Sequence, residues 1–196
     1  MARVNPLEEN EFSEEIQQQF TIMEEAMGFI PNSLKTMARV PGLVNAFTNL
    51  GSVILGNDIL PPELRGMVSL MASTGAECRY CQAHTSASTA RAGVSDEKLS
   101  AIWDFEYSEL FSESERAALR LAFHAGQIPN AVTDLDMENL QKYFNDQEVT
   151  SIISICAFFG YLNRWNDTMA TELEDHPKSF ASEILGPQGW EPGKHS

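Results

Sequence analysis

Two cysteines and a histidine recur at intervals of three, at Cys78, Cys81 and His84, within the stretch GAECRYCQAHTSA. Residues three apart on a helix are neighbours on one face, so the spacing predicts one row of two thiols and an imidazole. Two such thiols can close a local disulfide, and the imidazole can accept a thiol proton or return it to a leaving oxygen. The stretch therefore predicts a redox-active pair, with all three residues catalytic.

The chemistry that this row predicts is the reduction of a peroxide. Attack of a thiolate on the O–O bond would give a sulfenic acid, which the second thiol would resolve as a disulfide. An external dithiol would then restore the pair. If the helix begins near Gly75, Cys78 lies in its first turn, where free N–H groups and the helix dipole favour a thiolate.

Two other interpretations of the row stay open. C-x-x-C-x-x-H supplies three potential zinc ligands, but structural zinc usually has a second ligand pair, and neither Cys156 nor His124 is an obvious fourth ligand. Small buried thiols can also pack at a helix crossing like apolar side chains. We expect no bound metal and no cofactor, only an external dithiol.

The remaining cysteine and histidines are assigned no chemistry. Cys156 lies in the apolar run SIISICAFFGYL and is predicted to be part of the core. His124 lies on a helix flank, where a structural role is the more common one. His176 and His195 lie in the predicted tail and support no argument.

The composition limits the partners. The chain has 196 residues, 43% of them apolar, which is enough for one sizeable core. Its formal net charge of -15 would repel a phosphate backbone or an anionic lipid surface, so neither nucleic acid nor membrane is expected. The N-terminus lacks a signal-peptide pattern, and the apolar run over 152–162 is too short to span a bilayer. We expect a cytoplasmic protein, in which three cysteines are not a disulfide framework.

Apolar spacing and capping residues predict helices along nearly the whole chain and no strands, so the fold class is all-α. The cysteine helix is expected from about Glu77 to Ala92, after a helix over 61–74. The other predicted helices end at Gly28, Ala38, Gly56, Ala125, Phe144 and about Leu173, and Ser95, Ser112 and Thr133 are predicted caps. Prolines and glycines after Asp175 predict an irregular tail.

The chain also contains an internal similarity. A shift of 85 residues aligns PPELRGMVSLMASTGAECRYCQAHTSA with DQEVTSIISICAFFGYLNRWNDTMATE. We predict one domain over 1–196 with two diverged copies of a helical unit, at about 41–93 and 133–173, before the tail at 176–196. Chance similarity of two amphipathic helices is the alternative. The thiols belong to the first copy alone, since the second has Asn163 and Asn166 at those positions.

Several stretches together resemble one known superfamily. CRYCQAHT, preceded by LPPELRGMVSLMASTGAE, resembles the core of the carboxymuconolactone decarboxylase and AhpD-like alkylhydroperoxidase superfamily, whose members carry C-x-x-C followed by a histidine on a helix. GFIPNSLKTMARVPGLVNAF resembles the N-terminal segment of its peroxidase-related branch. FSESERAALRLAFHAGQIPNAVTDLD through FFGYLNRWNDT resembles the C-terminal half of that branch. The resemblance covers about residues 20–174.

That resemblance implies an AhpD-like helical fold with internally repeated units that assemble into dimers, trimers or hexamers. It also implies a proton relay of glutamate, cysteine pair and histidine, without haem or metal, and a dithiol reductant protein or lipoyl-type donor. By position, Cys81 would attack the peroxide and Cys78 would resolve the intermediate. The dipole argument favours Cys78 as the more acidic thiol, so the order of the two stays open.

The sequence departs from the pattern of the characterised peroxidases at two places. The position of their relay glutamate is Gly66, and the position of their histidine is Thr85, with His84 one residue earlier. The candidate supporting residues of the relay are Glu63, Glu77, Tyr80 and Thr85. For the two glutamates a solvated surface role is the commoner one.

Three functions follow from these observations. The first is a thiol-dependent hydroperoxidase or disulfide reductase acting on a small molecule. The second is a lyase or isomerase acting on a small cyclic acid, as in the decarboxylase branch, which needs a proton donor but no thiol pair. The third is a redox-sensing oligomeric module without enzymatic turnover.

Overall fold

The computed structural model describes residues 2–196, and it builds them from α-helices and short 3-10 turns. The α-helices are α1 (Glu14–Met27), α2 (Asn32–Met37), α3 (Leu43–Leu55), α4 (Pro62–Gly75), α5 (Arg79–Arg91), α6 (Asp96–Ser100), α7 (Glu113–Gly126), α8 (Asp134–Gln141), α9 (Asp146–Met169) and α10 (Asp175–Ile184). No strand occurs over 2–196, which confirms the predicted all-α class. Within the same range, no helix combines the length and the apolar character needed to cross a bilayer.

The predicted capping residues act as local start and stop signals. The side chains of Ser95, Ser112 and Thr133 each accept a hydrogen bond from the backbone of the helix that follows. Gly28 ends α1 in the left-handed conformation, with φ of 81°. These short-range signals fix the helix boundaries to within a few residues of the predicted ones.

The core lies around α4, which packs against α5, α7 and α9. Met67, Val68 and Leu70 of α4 are fully buried. The backbones of α4 and α7 approach closely, because a Cβ at Gly75 would lie 2.0 Å from the carbonyl oxygen of Phe123. A second, smaller apolar cluster around Phe20 holds α1 and α2 against this core.

The start of the cysteine helix differs from the prediction. Helix α4 continues through Gly75, and α5 begins at Arg79 rather than near Glu77. Between them Glu77 adopts a left-handed conformation with φ of 56°, which turns the chain sharply. Cys78 is therefore the N-cap residue of α5 and not a member of its first turn.

The predicted irregular tail is wrong. Residues 175–184 form α10, and a 3-10 turn over Gly193–His195 closes the chain. Pro177 lies in the first turn of α10, where its missing N–H has no helical partner to lose, so it does not break the helix. Trp190 and His195 are buried. The C-terminal segment is therefore part of the packed structure.

Candidate active site

The cysteine pair lies where α4 has ended and α5 begins. Cys78 caps α5 and Cys81 lies in its first turn, and both side chains are buried, at 0% and 2% exposed. Both thiols are free. Burial raises the pKa of Cys81, and the adjoining thiol of Cys78 raises this pKa further. The two thiols therefore adjoin each other, although Cys78 lies just outside the helix and not in the helical row that the spacing predicts.

Helix α9 supplies polar partners to the pair. The Asn166 Nδ2 amide donates a hydrogen bond to the Cys81 sulfur over 3.4 Å. This bond lowers the pKa of Cys81 and so opposes the larger effect of burial, while the negative charge of Asp167 adds to the rise. One turn earlier, Asn163 donates to the carbonyl oxygen of Ala72 over 3.4 Å.

The C-terminal turn supplies an imidazole to the other thiol. Ligand atoms of Cys78, Asp167 and His195 all lie within 4.8 Å of one another. His195 Nδ1 is 2.7 Å from the carbonyl oxygen of Thr171, a contact that requires Nδ1 to carry the proton. His195 Nε2 is then an acceptor, and among the described residues it has no hydrogen-bond partner. Burial lowers the pKa of His195, which favours the neutral ring.

His84 belongs to a second cluster, on the next turn of α5. Its Nε2 atom lies 2.6 Å from Glu174 Oε2, and its ring stacks on Tyr80 at 4.4 Å between centroids. The Tyr80 hydroxyl and the Asn32 N–H both donate to Glu174 Oε1, over 2.9 Å and 2.5 Å. Burial alone would raise the pKa of Glu174, but His84 and, after it, the Asn32 N–H outweigh burial and lower this pKa.

The other predicted support residues lie in different places. Glu63 stands against Gly93, beyond the opposite end of α5 from the thiols, and Glu77 is exposed. The Thr85 hydroxyl donates to the Cys81 carbonyl oxygen over 2.7 Å, so it is occupied within the helix. A Cβ at Gly66 would lie 2.6 Å from the Thr89 hydroxyl, which explains the small residue there. The structure thus brings only Tyr80 of these residues to the His84 cluster.

Four residues near the thiols were not identified from the sequence: Asn166, Asp167, Glu174 and His195. They lie 85 or more residues from their partners, and no short-range spacing connects them. One signal was available, since Asn163 and Asn166 interrupt the apolar face of α9 at a spacing of three and are both buried.

A cleft lies beside the thiol pair. It has a volume of about 690 Å³ and is lined by Ala76, the end of α7 with the following loop, and the last turns of α9. Neither cysteine of the pair is among its lining residues, and both are buried. Asp167 lines this cleft with 43% of its side chain exposed, and it also adjoins Cys78, so it is the residue that the cleft and the thiol site share.

Cys156 lies in the core, as predicted, and His124 is held by a capping residue. Burial raises the pKa of Cys156 to about 12, so it stays a neutral thiol in the core. His124 Nδ1 lies 3.0 Å from an oxygen of Asp136, which caps the start of α8. Neither residue lines the cleft beside the thiol pair.

Comparison with known proteins indicates the family of this chain. A model of the carboxymuconolactone decarboxylase family matches residues 41–123, which include the thiol pair and His84. The structure is similar to that of the debrominase Bmp8, with a TM-score of 0.85 and 32% identity, covering 92% of this chain and 97% of that one. The chain belongs to the carboxymuconolactone decarboxylase family. Bmp8 has also been crystallised as a cysteine-to-alanine variant with 2,3,4-tribromopyrrole.

One further solved structure has the same fold, and one further sequence is similar to part of the chain. A peroxidase-related protein from Ralstonia eutropha JMP134, described as an alkylhydroperoxidase AhpD core, has a TM-score of 0.81 at 23% identity, over 92% of this chain and 95% of that one. The uncharacterized protein YnjA of Escherichia coli K12 is 32% identical over 110 residues, which are 56% of this chain. The match spans 60% of YnjA, less than two thirds of its length.

Proposed function

We propose that this family member is a thiol-dependent oxidoreductase that reduces a small hydroperoxide with Cys78 and Cys81. One observation carries the proposal: Cys78, whose thiol adjoins that of Cys81, also adjoins a buried imidazole acceptor and a carboxylate that lines a cleft. A thiolate needs a proton acceptor, and this arrangement supplies one.

The first half of the reaction oxidises Cys78. Its thiol proton passes to His195 Nε2, and the thiolate attacks the terminal oxygen of R–O–OH. The S–O bond forms as the O–O bond breaks, and the leaving alkoxide takes the proton back as the alcohol. Cys78 is left as a sulfenic acid.

The second half regenerates the enzyme. The Cys81 thiol attacks the Cys78 sulfur, a disulfide forms, and the sulfenic hydroxyl leaves with the Cys81 proton as water. An external dithiol, from a protein or a lipoyl-type donor, then reduces this disulfide and becomes a disulfide itself. No bound cofactor takes part in this cycle.

The surroundings of the two sulfurs support Cys78 as the attacking thiol. It adjoins His195 Nε2 and the carboxylate that lines the cleft. Burial raises the pKa of Cys81, which suits a thiol that stays protonated until the sulfenic acid has formed. This order agrees with the dipole argument, which favours Cys78 as the more acidic thiol. It differs from the order that the family resemblance implies, in which Cys81 attacks the peroxide.

The role of His84 as proton carrier stays a prediction. Its ring nitrogen is engaged by Glu174, so we propose that this pair returns protons to the site during turnover. Replacing His84 with Gln should then lower kcat without preventing a single oxidation of Cys78. Replacing His195 with Gln should slow that first oxidation itself.

The decisive experiment follows consumption of cumene hydroperoxide with a dithiol reductant. Wild type should turn over, Cys78→Ser and Cys81→Ser should both be inactive, and Cys156→Ser should retain full activity as the matched control. A sulfenic acid trapped with dimedone should appear at Cys78 in Cys81→Ser. If thiols stay reduced after peroxide, or if activity survives in both serine variants, the redox proposal is wrong. A lyase acting on a cyclic acid would consume no hydroperoxide, and its turnover of that acid would survive in both serine variants.

A second substrate class is supported by the likeness to the debrominase Bmp8 over 92% of this chain. The Cys78 thiolate would attack the bromine of an activated bromopyrrole, and the carbanion that leaves would be protonated to C–H. Cys81 would then displace bromide from sulfur to form the same disulfide. Bromide release from a brominated pyrrole, measured beside hydroperoxide loss with the same dithiol, ranks the two substrates.

Assembly into a homo-oligomer also stays a prediction. Apolar side chains are exposed along α3 and α9, among them Leu50, Val53 and Ile153, at 53%, 70% and 43% exposed. We propose that a second copy covers this surface, since contiguous exposed apolar side chains are typical of interfaces. Light scattering after size exclusion should show a multiple of the chain mass that Val53→Glu reduces.

A further inference from the structure

We propose that Cys78, Asp167 and His195 form a reversible binding site for one divalent transition-metal ion, with zinc as the expected occupant. The metal site is argued from the geometry alone. Its consequence, that a bound ion blocks the reaction of the thiol pair, rests on the proposed function.

The three donor types fit zinc. Thiolate sulfur, imidazole nitrogen and carboxylate oxygen bind it at about 2.3, 2.0 and 2.1 Å, so tetrahedral ligands lie about 3.3–3.8 Å apart. The three ligand atoms here lie within 4.8 Å of one another, and His195 Nε2 is 3.7 Å from Asp167 Oδ1. Rotation of side chains over about 1 Å closes the site, and the fourth position stays open for water, as in non-structural zinc sites.

The orientation of His195 is the second, independent indication. Its Nδ1–H is held by the Thr171 carbonyl, which is the usual support of a metal-bound histidine. The Nε2 lone pair is buried, and it lacks a partner among the described residues, while the residue is only 1% exposed. Leaving a buried acceptor unsatisfied is costly, and a metal ion would satisfy this one.

Asp167 gives the ion a way in. It lines the cleft, and its present partner is Lys194, whose Nζ lies 2.7 Å from Asp167 Oδ1. Both side chains of that ion pair are more than two fifths exposed, so the pair contributes little and Lys194 can move into water. The carboxylate is then free to bind a cation that enters through the cleft.

This ligand set differs from the one that the C-x-x-C-x-x-H spacing suggests. Of that motif it uses Cys78 alone, because His84 is held by Glu174. A bound ion takes the sulfur lone pair that the peroxide reaction needs, and the thiol proton is released to solvent. Metal and hydroperoxide would therefore compete for Cys78.

The experiment titrates the reduced, metal-free protein with Zn²⁺ against a chromophoric chelator and counts bound ions by native mass spectrometry. We expect one ion per chain. Asp167→Asn and His195→Gln should each weaken zinc binding. Loss of a residue that supports a metal ligand typically weakens binding about 10–100-fold, and loss of a ligand itself should weaken it by at least as much. His84→Gln and His176→Gln are the matched controls and should bind as wild type does. With Co²⁺, a thiolate-to-metal absorption band should appear in wild type and vanish in Cys78→Ser.

Three results would overturn the site: no stoichiometric binding, equal affinity in the Asp167 and His195 variants, or loss of binding in His84→Gln. The half-exposed Asp167 makes its variant informative even if His195→Gln folds poorly. Zinc should also protect Cys78 from iodoacetamide, and unchanged alkylation with zinc bound refutes the blockade. A chain that binds zinc in this way but reduces no hydroperoxide would refute the proposed function and leave the site standing.

Discussion

The two stretches related by the 85-residue shift fold differently. Residues 62–91 form two helices, α4 and α5, with a sharp turn at Glu77 between them. The matching part of α9 is one continuous helix to Met169. Cys78 lies at the break and Cys81 in the turn that follows it, whereas Asn166 and Asp167, two of the polar residues next to the thiols, lie in the continuous helix. The break between α4 and α5 therefore creates the N-terminus of α5, at which Cys78 lies.

The matched glycines of the two stretches have opposite surroundings. A Cβ at Gly75 would lie 2.0 Å from a backbone oxygen of α7, whereas a Cβ at Gly160 would have no described atom within 4 Å beyond its own helix. Close packing on α7 therefore constrains α4 immediately before the turn. At the matching point α9 is open to the cleft.

The largest effect should come from Gly75→Ala. The new methyl group would collide with the Phe123 carbonyl, a backbone atom that cannot rotate away, so α4 and α7 must separate. Overpacking of this kind costs about 3 kcal/mol. For a chain of this size the melting temperature should fall by about 6–12 °C, measured by calorimetry.

The same variant tests the origin of the turn. Because Gly75 immediately precedes the break, its displacement should also change the alkylation rate of Cys78. A variant that melts like wild type, with unchanged thiol reactivity, would show that the approach of the two helices does not hold the turn in place.

The next effect concerns Glu174, which follows α9 and binds His84 of α5. Glu174→Gln removes a buried charge that accepts three donors, and hydrogen bonds to charged groups contribute about 1.5–3 kcal/mol each. We expect a loss of about 2 kcal/mol in the free energy of unfolding at neutral pH, measured by urea denaturation.

The pH dependence of that loss has a defined sign. The pKa of Glu174 is lowered in the folded chain, so its stabilisation is present above the unfolded value of about 4.3 and disappears as pH falls through the folded value. The gap between wild type and Glu174→Gln should therefore shrink as pH falls below the unfolded value. The exposed Glu172→Gln is the control and should show neither the loss nor the convergence.

A smaller effect is expected at Asn166. Asn166→Leu keeps the branched shape of the side chain but removes the amide that donates to the Cys81 sulfur and lowers the pKa of that thiol. Iodoacetamide should alkylate Cys81 about tenfold more slowly, which corresponds to about 1.4 kcal/mol. Asn163→Leu, one turn away and bonded to a carbonyl, should leave the rate unchanged. Equal rates in wild type and Asn166→Leu would exclude this contact from thiol activation.

Short-range patterns predicted most of the fold. Ser112 with Glu115, and Thr133 with Asp136, form the capping boxes that their spacing allows, because both partners lie within one turn. The thiols of Cys78 and Cys81 do adjoin, but Cys78 is the N-cap residue of α5, so the spacing of helix residues does not by itself account for the pair. The C-terminal helix was missed because Pro177 was interpreted as a breaker, although the first turn of a helix tolerates proline.

The candidate site was only half predictable. The thiols and His84 are one element, but Glu174 and His195 reach them from the far end of the chain. Such contacts depend on how the C-terminal segment packs, and no local spacing encodes that. His195 was dismissed for its position in a supposed tail, yet burial and an unpaired Nε2 make it the imidazole next to Cys78.

The smallest effect should come from Gly160→Ala and has the opposite sign to that of Gly75→Ala. Because a methyl group at Gly160 meets nothing described and the position lies inside α9, alanine gains helix propensity without a clash. The free energy of unfolding should rise by about 0.5–1 kcal/mol, raising the melting temperature by about 2–3 °C. If Gly160→Ala is instead as destabilising as Gly75→Ala, then α9 is also tightly packed at this turn, for example by a second copy across the cleft. The contrast between the constrained α4 and the open α9 would then apply to the single chain and not to the assembly.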